Sequence, residues 1–235
     1  FVLLVRLWFW VLPDPPVAGA ELLATLGAAA ILVGSVVALR QEKLKALIAY
    51  STVAQIGYLF LMFPLLMAGD PDAATRAWMG GTMQAVSHAL AKAAMFLAAG
   101  LIVQSIGEDR VAGLGGAARA APFAVLAIGI GGLSLMGVPP SGGFTAKWML
   151  LRASVDTGQW WWSLVILAGG LLTGGYVYRL VAAALAPAAP GVAPRPVPRV
   201  QEGAVLVLAL LSMLLGLLPL SMLGLAQIGQ PVIAP

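Results

Sequence analysis

Cysteine is absent and histidine occurs once among these 235 residues. Without thiolates there are no disulfides, iron–sulfur clusters or thiolate metal sites, and a single imidazole cannot build a His-rich metal site or a bis-His haem. No cofactor is expected, and redox catalysis by this chain alone is excluded. Charge is scarce as well: 9% of residues are Asp, Glu, Lys or Arg, against roughly a quarter in a soluble domain. The net charge of +4 is scattered, which suits a membrane surface and not nucleic acid.

What fills the chain is apolar. Hydrophobic residues make up 61% of it, and the mean hydropathy is +0.98. That leaves room for six or seven membrane spans of about 20 residues. The expected fold class is all-α: a polytopic membrane helix bundle with a broken helix, in one membrane domain over residues 1–235. The opening FVLLVRLWFWVLP has Arg6 inside its apolar run, whereas a signal peptide carries its charge before the apolar core. Residues 1–12 therefore read as the end of a truncated span, and the chain as a C-terminal fragment of a longer polypeptide.

Spans are expected at 21–39, 44–67, 77–106, 122–136, 142–153, 161–185 and 203–223, with a Pro/Ala linker at 187–198. Asp14, Pro15 and Pro16 close the first segment, and Pro64 interrupts the span at 44–67. The stretch 77–106 is about 45 Å long if helical and must tilt or protrude. Trp160, Trp161 and Trp162 read as an interfacial belt. Gly170 and Gly174 form a small-xxx-small pair suited to close helix packing.

Residues 133–152, LSLMGVPPSGGFTAKWMLLR, organise the rest. The apolar run stops at Gly137, Pro139, Pro140, Gly142 and Gly143, then resumes with Lys147. Proline removes backbone donors and ends a helix, while glycine permits tight or left-handed backbone. A lysine just past such a break lies at membrane depth, which is costly unless it has a job.

Sorting ionisable groups by depth singles out few. The nine acidic residues lie in loops or at span ends, whereas His88, Lys92 and Lys147 are buried and Lys45 is close to an edge. His88 and Lys92 are four residues apart, on one helix face, with the Ser87 hydroxyl nearby. Imidazole and amine can both take up and release a proton. With Lys147, and with Lys45 at the edge, they read as steps of a proton relay through hydrated cavities. The blander readings are an interhelical hydrogen-bonding histidine, a snorkelling Lys92 and an ordinary juxtamembrane Lys45. Arg6, Arg40 and Arg152 read as interface anchors. Tyr50, Ser51, Thr52, Gln55 and Tyr58 give one span a polar start, explained equally by helix–helix hydrogen bonds or a water path. No carboxylate lies mid-membrane, so an acidic partner is expected from preceding sequence or another subunit.

Three stretches, KALIAYSTVAQIGY from Lys45, HALAKAAMFLAAG from His88 and LSLMGVPPSGGFTAK ending at Lys147, resemble signature segments of one family. It is the antiporter-like proton-conducting subunits shared by respiratory complex I, the multisubunit Na+/H+ antiporters (Mrp-type) and membrane-bound hydrogenases. The resemblance implies a bundle of about fourteen helices built from two inverted repeats, of which this chain supplies the end of the first and all of the second. It implies that Lys92 is a central relay lysine, His88 the histidine preceding it and Lys147 the terminal lysine near the exit. Lys45 matches the lysine of an Asp-X-Lys segment, with Lys43 where the acid is common. Lysine at 147 argues against the complex I member type that carries an acid there, and the surrounding residues resemble the D-like antiporter members or the hydrogenase-type members. Quinone and nucleotide chemistry would belong to other subunits.

The function expected is proton or Na+/H+ translocation in the membrane arm of such a complex. The alternatives are a structural scaffold subunit and a self-contained secondary transporter; the latter needs a second break-plus-lysine that the chain does not contain. Intramembrane hydrolysis would need a carboxylate or serine aligned with His88. The implied partners are other membrane subunits, the lipid bilayer, and H+ or Na+, without nucleic acid. The implied location is the bacterial inner membrane. Residues 179–199 read as a cytoplasmic connection by their arginines. If 122–137 and 142–152 each cross, the basic turn at 40–45 falls on the opposite side, against the same rule. The resemblance nevertheless favours two crossings, and two are expected.

Overall fold

The computed structural model describes residues 1–12, 16–188, 195–218 and 229–231. Among them every regular element is helical: α1 (Val2–Arg6, continued by a π turn, Leu7–Val11), α2 (Val17–Arg40), α3 (Leu44–Phe60), α4 (Met62–Leu66), α5 (Pro71–Ile106), α6 (Ala117–Ala120), α7 (Pro122–Met136), α8 (Gly142–Asp156), α9 (Trp161–Leu185) and α10 (Arg199–Leu214). Asp14 and Pro15, the middle of the Pro/Ala linker and the end of the span expected at 203–223 lie outside the described residues.

Local chemistry sets the ends of these helices. Asp70 accepts from Asp72 N at 2.9 Å and Ala73 N at 3.1 Å, with Pro71 opening α5 behind it, a capped start with proline at N1. Gly107 stops α5 at φ +79°, 36 residues later and about 54 Å away. Pro64 has no N–H for the Phe60 carbonyl, so the ladder lapses at Leu61, three residues before the proline, and resumes as α4. Residues 44–66 still form one apolar crossing.

Small residues set the spacing between helices. A Cβ on Gly57 would stand 2.3 Å from Gly27 O, which places α3 backbone against α2 backbone. Gly170 and Gly174 meet the last residue of α7: their added Cβ atoms would lie 3.2 Å from Met136 O and 3.0 Å from Met136 Cε. The tryptophan belt is narrower than expected. Trp160 and Trp161 are exposed, but Trp162 is buried in the core and donates to Gln159 Oε1 at 3.0 Å.

The expectation of two crossings at 122–136 and 142–153 is corrected by packing along α5. Gly131 sits against Ala91 and Met95, and Ser134 meets Ser87. Gly142 also abuts Ser87, then Gly80 faces Ala146, Met149 and Leu150, and Arg76 pairs with Asp156 at 2.9 Å. Residue numbers thus fall along α5 while they rise through α7 and α8 without reversal. Each half has 15 residues, about 22 Å, too short for a hydrocarbon core of about 30 Å. Together they make one broken crossing antiparallel to α5.

That count places the basic connections at one end. Leu44 N bonds Asp109 O at 2.7 Å, Val111 N bonds Glu42 O at 2.7 Å, Gly116 N bonds Ala186 O at 2.8 Å, and Arg195 N bonds Ser105 O at 2.9 Å. Arg40, Lys43, Lys45, Arg110, Arg119 and Arg199 therefore share this end, with Arg76 and Arg152 at the other. Glu202 also departs from expectation. It heads α10 yet is fully buried, accepting from Phe123 N at 2.9 Å and Ala124 N at 3.2 Å. A carboxylate of α10 thereby caps α7, where free N–H groups favour negative charge, and Arg199 pairs with it at 2.8 Å.

Candidate functional site

The break between α7 and α8 is built so that backbone acceptors face inward. Gly137 adopts φ +89°, and both its N–H and that of Val138 turn back to Leu133 O at 3.1 Å, a glycine C-cap. The Pro139–Pro140 peptide is cis. Ser141 then caps α8, its Oγ accepting from Phe144 N at 3.1 Å. A helix that stops leaves its last carbonyls without amide partners. Those of Leu135 and Met136 are taken by Lys147 Nζ, the latter at 3.4 Å. The cation thus sits at the negative end of α7's dipole. Glycine suits position 137 chiefly for its φ of +89°, and a Cβ there would also crowd Lys147 Cδ at 3.0 Å. Lys147 Nζ also lies 4.2 Å from the centroid of the Tyr58 ring on α3.

Lys92 reaches from α5 to α3. Its Nζ donates to Ile48 O at 2.8 Å and to Ser51 Oγ. Lys92 and Lys147 are each 6% exposed, too buried for either to be snorkelling. Past Ser51 the polar contacts continue. The Tyr176 hydroxyl, approached by Ser51 and Gln55, donates to Thr173 Oγ1 at 3.1 Å. Gln55 Nε2 donates to the same hydroxyl at 3.3 Å, and Gln84 Nε2 donates to Gln55 Oε1 at 3.0 Å. All six of these side chains, Lys92 included, are buried, and buried polar groups persist only when bonded.

His88 is half-buried one turn before Lys92, within electrostatic reach of both lysines. Its Nδ1 is enclosed without a hydrogen-bond partner. Ser87 faces away from it, joining Ser134 and Ser212 in a closed set of hydroxyls with separations of 2.7–3.2 Å. Lys45 is not brought to this interior. It is exposed at the membrane end of α3, where its backbone N–H donates to Asp109 at 3.4 Å. Among the described residues no carboxylate pairs with Lys92 or Lys147, and no three His, Cys, Asp or Glu side chains could hold a metal. A cavity of about 420 Å³ lies between α1 and α5, lined by Val2, Trp10, Met62 and Val86 among others, away from both lysines.

Sequence reasoning singled out Lys92, Lys147 and His88 but not Thr173, Tyr176 or Gln84. A signal existed for α3, since Ser51, Gln55 and Tyr58 stand at i, i+4 and i+7 on one face. The residues on α9 have no such stripe.

The architecture defines a polytopic membrane helix bundle whose interior holds two lysines on backbone carbonyls, one of them at a broken helix. The chain belongs to the family described as NADH:quinone oxidoreductase/Mrp antiporter, TM, which matches residues 2–173. It is 35% identical over 161 residues to NADH-quinone oxidoreductase subunit N of Desulforudis audaxviator, covering 68% of this chain and 31% of that one. With subunit N of Moorella thermoacetica it shares 32% identity over 225 residues, covering 93% and 45%. These relatives are N subunits, whereas the context of Lys147 pointed to D-like antiporter or hydrogenase-type members. The Mrp complex from Dietzia sp. DQ12-45-1b superposes with TM-score 0.77 at 23% identity, over 88% of this chain and 46% of that one. Respiratory complex I from Thermus thermophilus gives 0.64 at 30% identity, over 87% and 45%. The chain spans less than half the length of each of these proteins.

Proposed function

We propose that this chain carries protons, or exchanges Na+ for H+, across part of the membrane arm of a complex I-like, hydrogenase-like or Mrp-type assembly. The observation that carries the reading is the setting of Lys92 and Lys147. Each is an amine buried at membrane depth, held by carbonyls, a hydroxyl or a ring face and by no carboxylate among the described residues. Acceptors of this kind bind the ammonium but also suit the neutral amine, so the proton is free to leave. His88, with an unpartnered ring nitrogen beside them, is the third station. Lys45 is an edge cation at the entrance to α3.

Other membrane subunits surround the chain, and the bacterial inner membrane is its setting. In this reading the end holding residues 40–45 and 110–119 faces the cytoplasm, which its excess of lysine and arginine supports. The test is proton pumping by vesicles containing the assembled complex, with Lys92→Met and Lys147→Met against wild type and assembly checked on native gels. Assembled variants that lose pumping support the relay. Assembled variants that pump normally overturn it and leave the chain a scaffold.

A further inference from the structure

We propose that Tyr58 is a positioning residue for Lys147, its ring face being the surface on which the ammonium rests. The inference builds on the relay reading above. Lys147 Nζ stands 4.2 Å from the ring centroid, inside the roughly 6 Å over which a ring face attracts a cation. Tyr58 is fully buried, so the contact lies away from bulk solvent.

Two features of α9 hold the ring at this angle. The phenol donates to Ile166 O at 3.4 Å. Gly169 leaves the notch that the phenol occupies, since a Cβ there would come within 2.3 Å of the Tyr58 hydroxyl oxygen. The same amine also meets Leu135 O and Met136 O. Lys147 is thus held by both a ring quadrupole and the open end of a helix. Neither bears a net charge, so together they fix the position of the nitrogen without the tight ion pair that would trap its proton. The phenol's weak hydrogen bond steadies the ring but its proton is not transferred, and a phenyl ring keeps the face that Lys147 meets.

The experiment compares proton pumping by the assembled complex in vesicles carrying Tyr58→Phe, Tyr58→Leu, or mono- and trifluorinated phenylalanine at 58. Fluorine withdraws density from the ring face with little change of shape, so these variants report attraction separately from packing. Tyr58→Phe should stay within about twofold of wild type, the fluorinated series should fall stepwise to a loss of about tenfold, and Tyr58→Leu should lose at least as much. The midpoint of the pH–rate profile should move along the same series. A flat response to fluorine overturns the proposal, as does a Tyr58→Phe variant as poor as Tyr58→Leu, which would make the hydroxyl the working group. If Tyr58→Leu does not assemble, the fluorinated series decides. Lys147→Met is measured alongside. Normal pumping there sinks the relay itself, whereas its loss beside a flat fluorine series sinks only the role of Tyr58.

Discussion

Lys92 on α5 donates to the hydroxyl of Ser51 on α3, and Ser51 in turn donates a hydrogen bond to Ile48 O at 2.9 Å. The hydroxyl is therefore both the amine's acceptor and the first member of the polar string toward Gln84. Ser51→Ala removes that link but leaves Lys92 the Ile48 carbonyl. A hydrogen bond to a charged group contributes about 1.5–3 kcal/mol, so pumping should fall by about tenfold or more with assembly intact. Wild-type pumping in Ser51→Ala vesicles would show that the string carries nothing.

The break leaves no room at Gly143. A Cβ there would lie 1.9 Å from Ser134 O, backbone that cannot swing aside. Gly143→Ala should separate α8 from α7, pull Lys147 off its carbonyls and prevent stable assembly, as read on native gels. Gly129→Ala, where a Cβ meets nothing within 4 Å, is the control and should assemble normally.

Glu202 should behave as a cap more than as half of an ion pair. Arg199 is mostly exposed, and such pairs contribute little. Glu202→Gln keeps an acceptor for Phe123 N and Ala124 N, whereas Glu202→Ala leaves one part-buried and one buried donor unpaired, at a cost of about 1–2 kcal/mol. Thermal unfolding in detergent should therefore rank wild type above Gln and Gln well above Ala. Equal losses for both variants would assign the stability to the charge.

Orientation is testable because the chain has no cysteine. A single cysteine at Ala112 should react with an impermeant maleimide from the cytoplasmic side and one at Gly158 from the opposite side. Reaction of both from one side would contradict the single broken crossing.

Helix content, the break, and the depth of Lys92 and Lys147 are legible in the sequence. They follow from hydropathy, proline and glycine, which act on a residue's immediate neighbours. The stop of α5 and the lapse before Pro64 are likewise local, because a proline or glycine acts on bonds within one turn. The count of crossings departs from expectation because a broken helix and a hairpin have the same apolar lengths; only the order of contacts along α5 separates them. Trp162 lies in the core for a similar reason, since composition marks a belt but the helix turn decides which ring faces inward.

The site divides along the same line. That lysines occupy the membrane interior is a property of the sequence alone, since desolvation depends on the apolar residues on either side. What satisfies those lysines is a property of the tertiary structure. Lys147 is held by carbonyls eleven and twelve residues back and by a ring on α3, Lys92 by a hydroxyl on α3, and α7 is capped from α10. No spacing along a chain encodes such contacts, because they arise only when separate helices are brought within hydrogen-bonding distance.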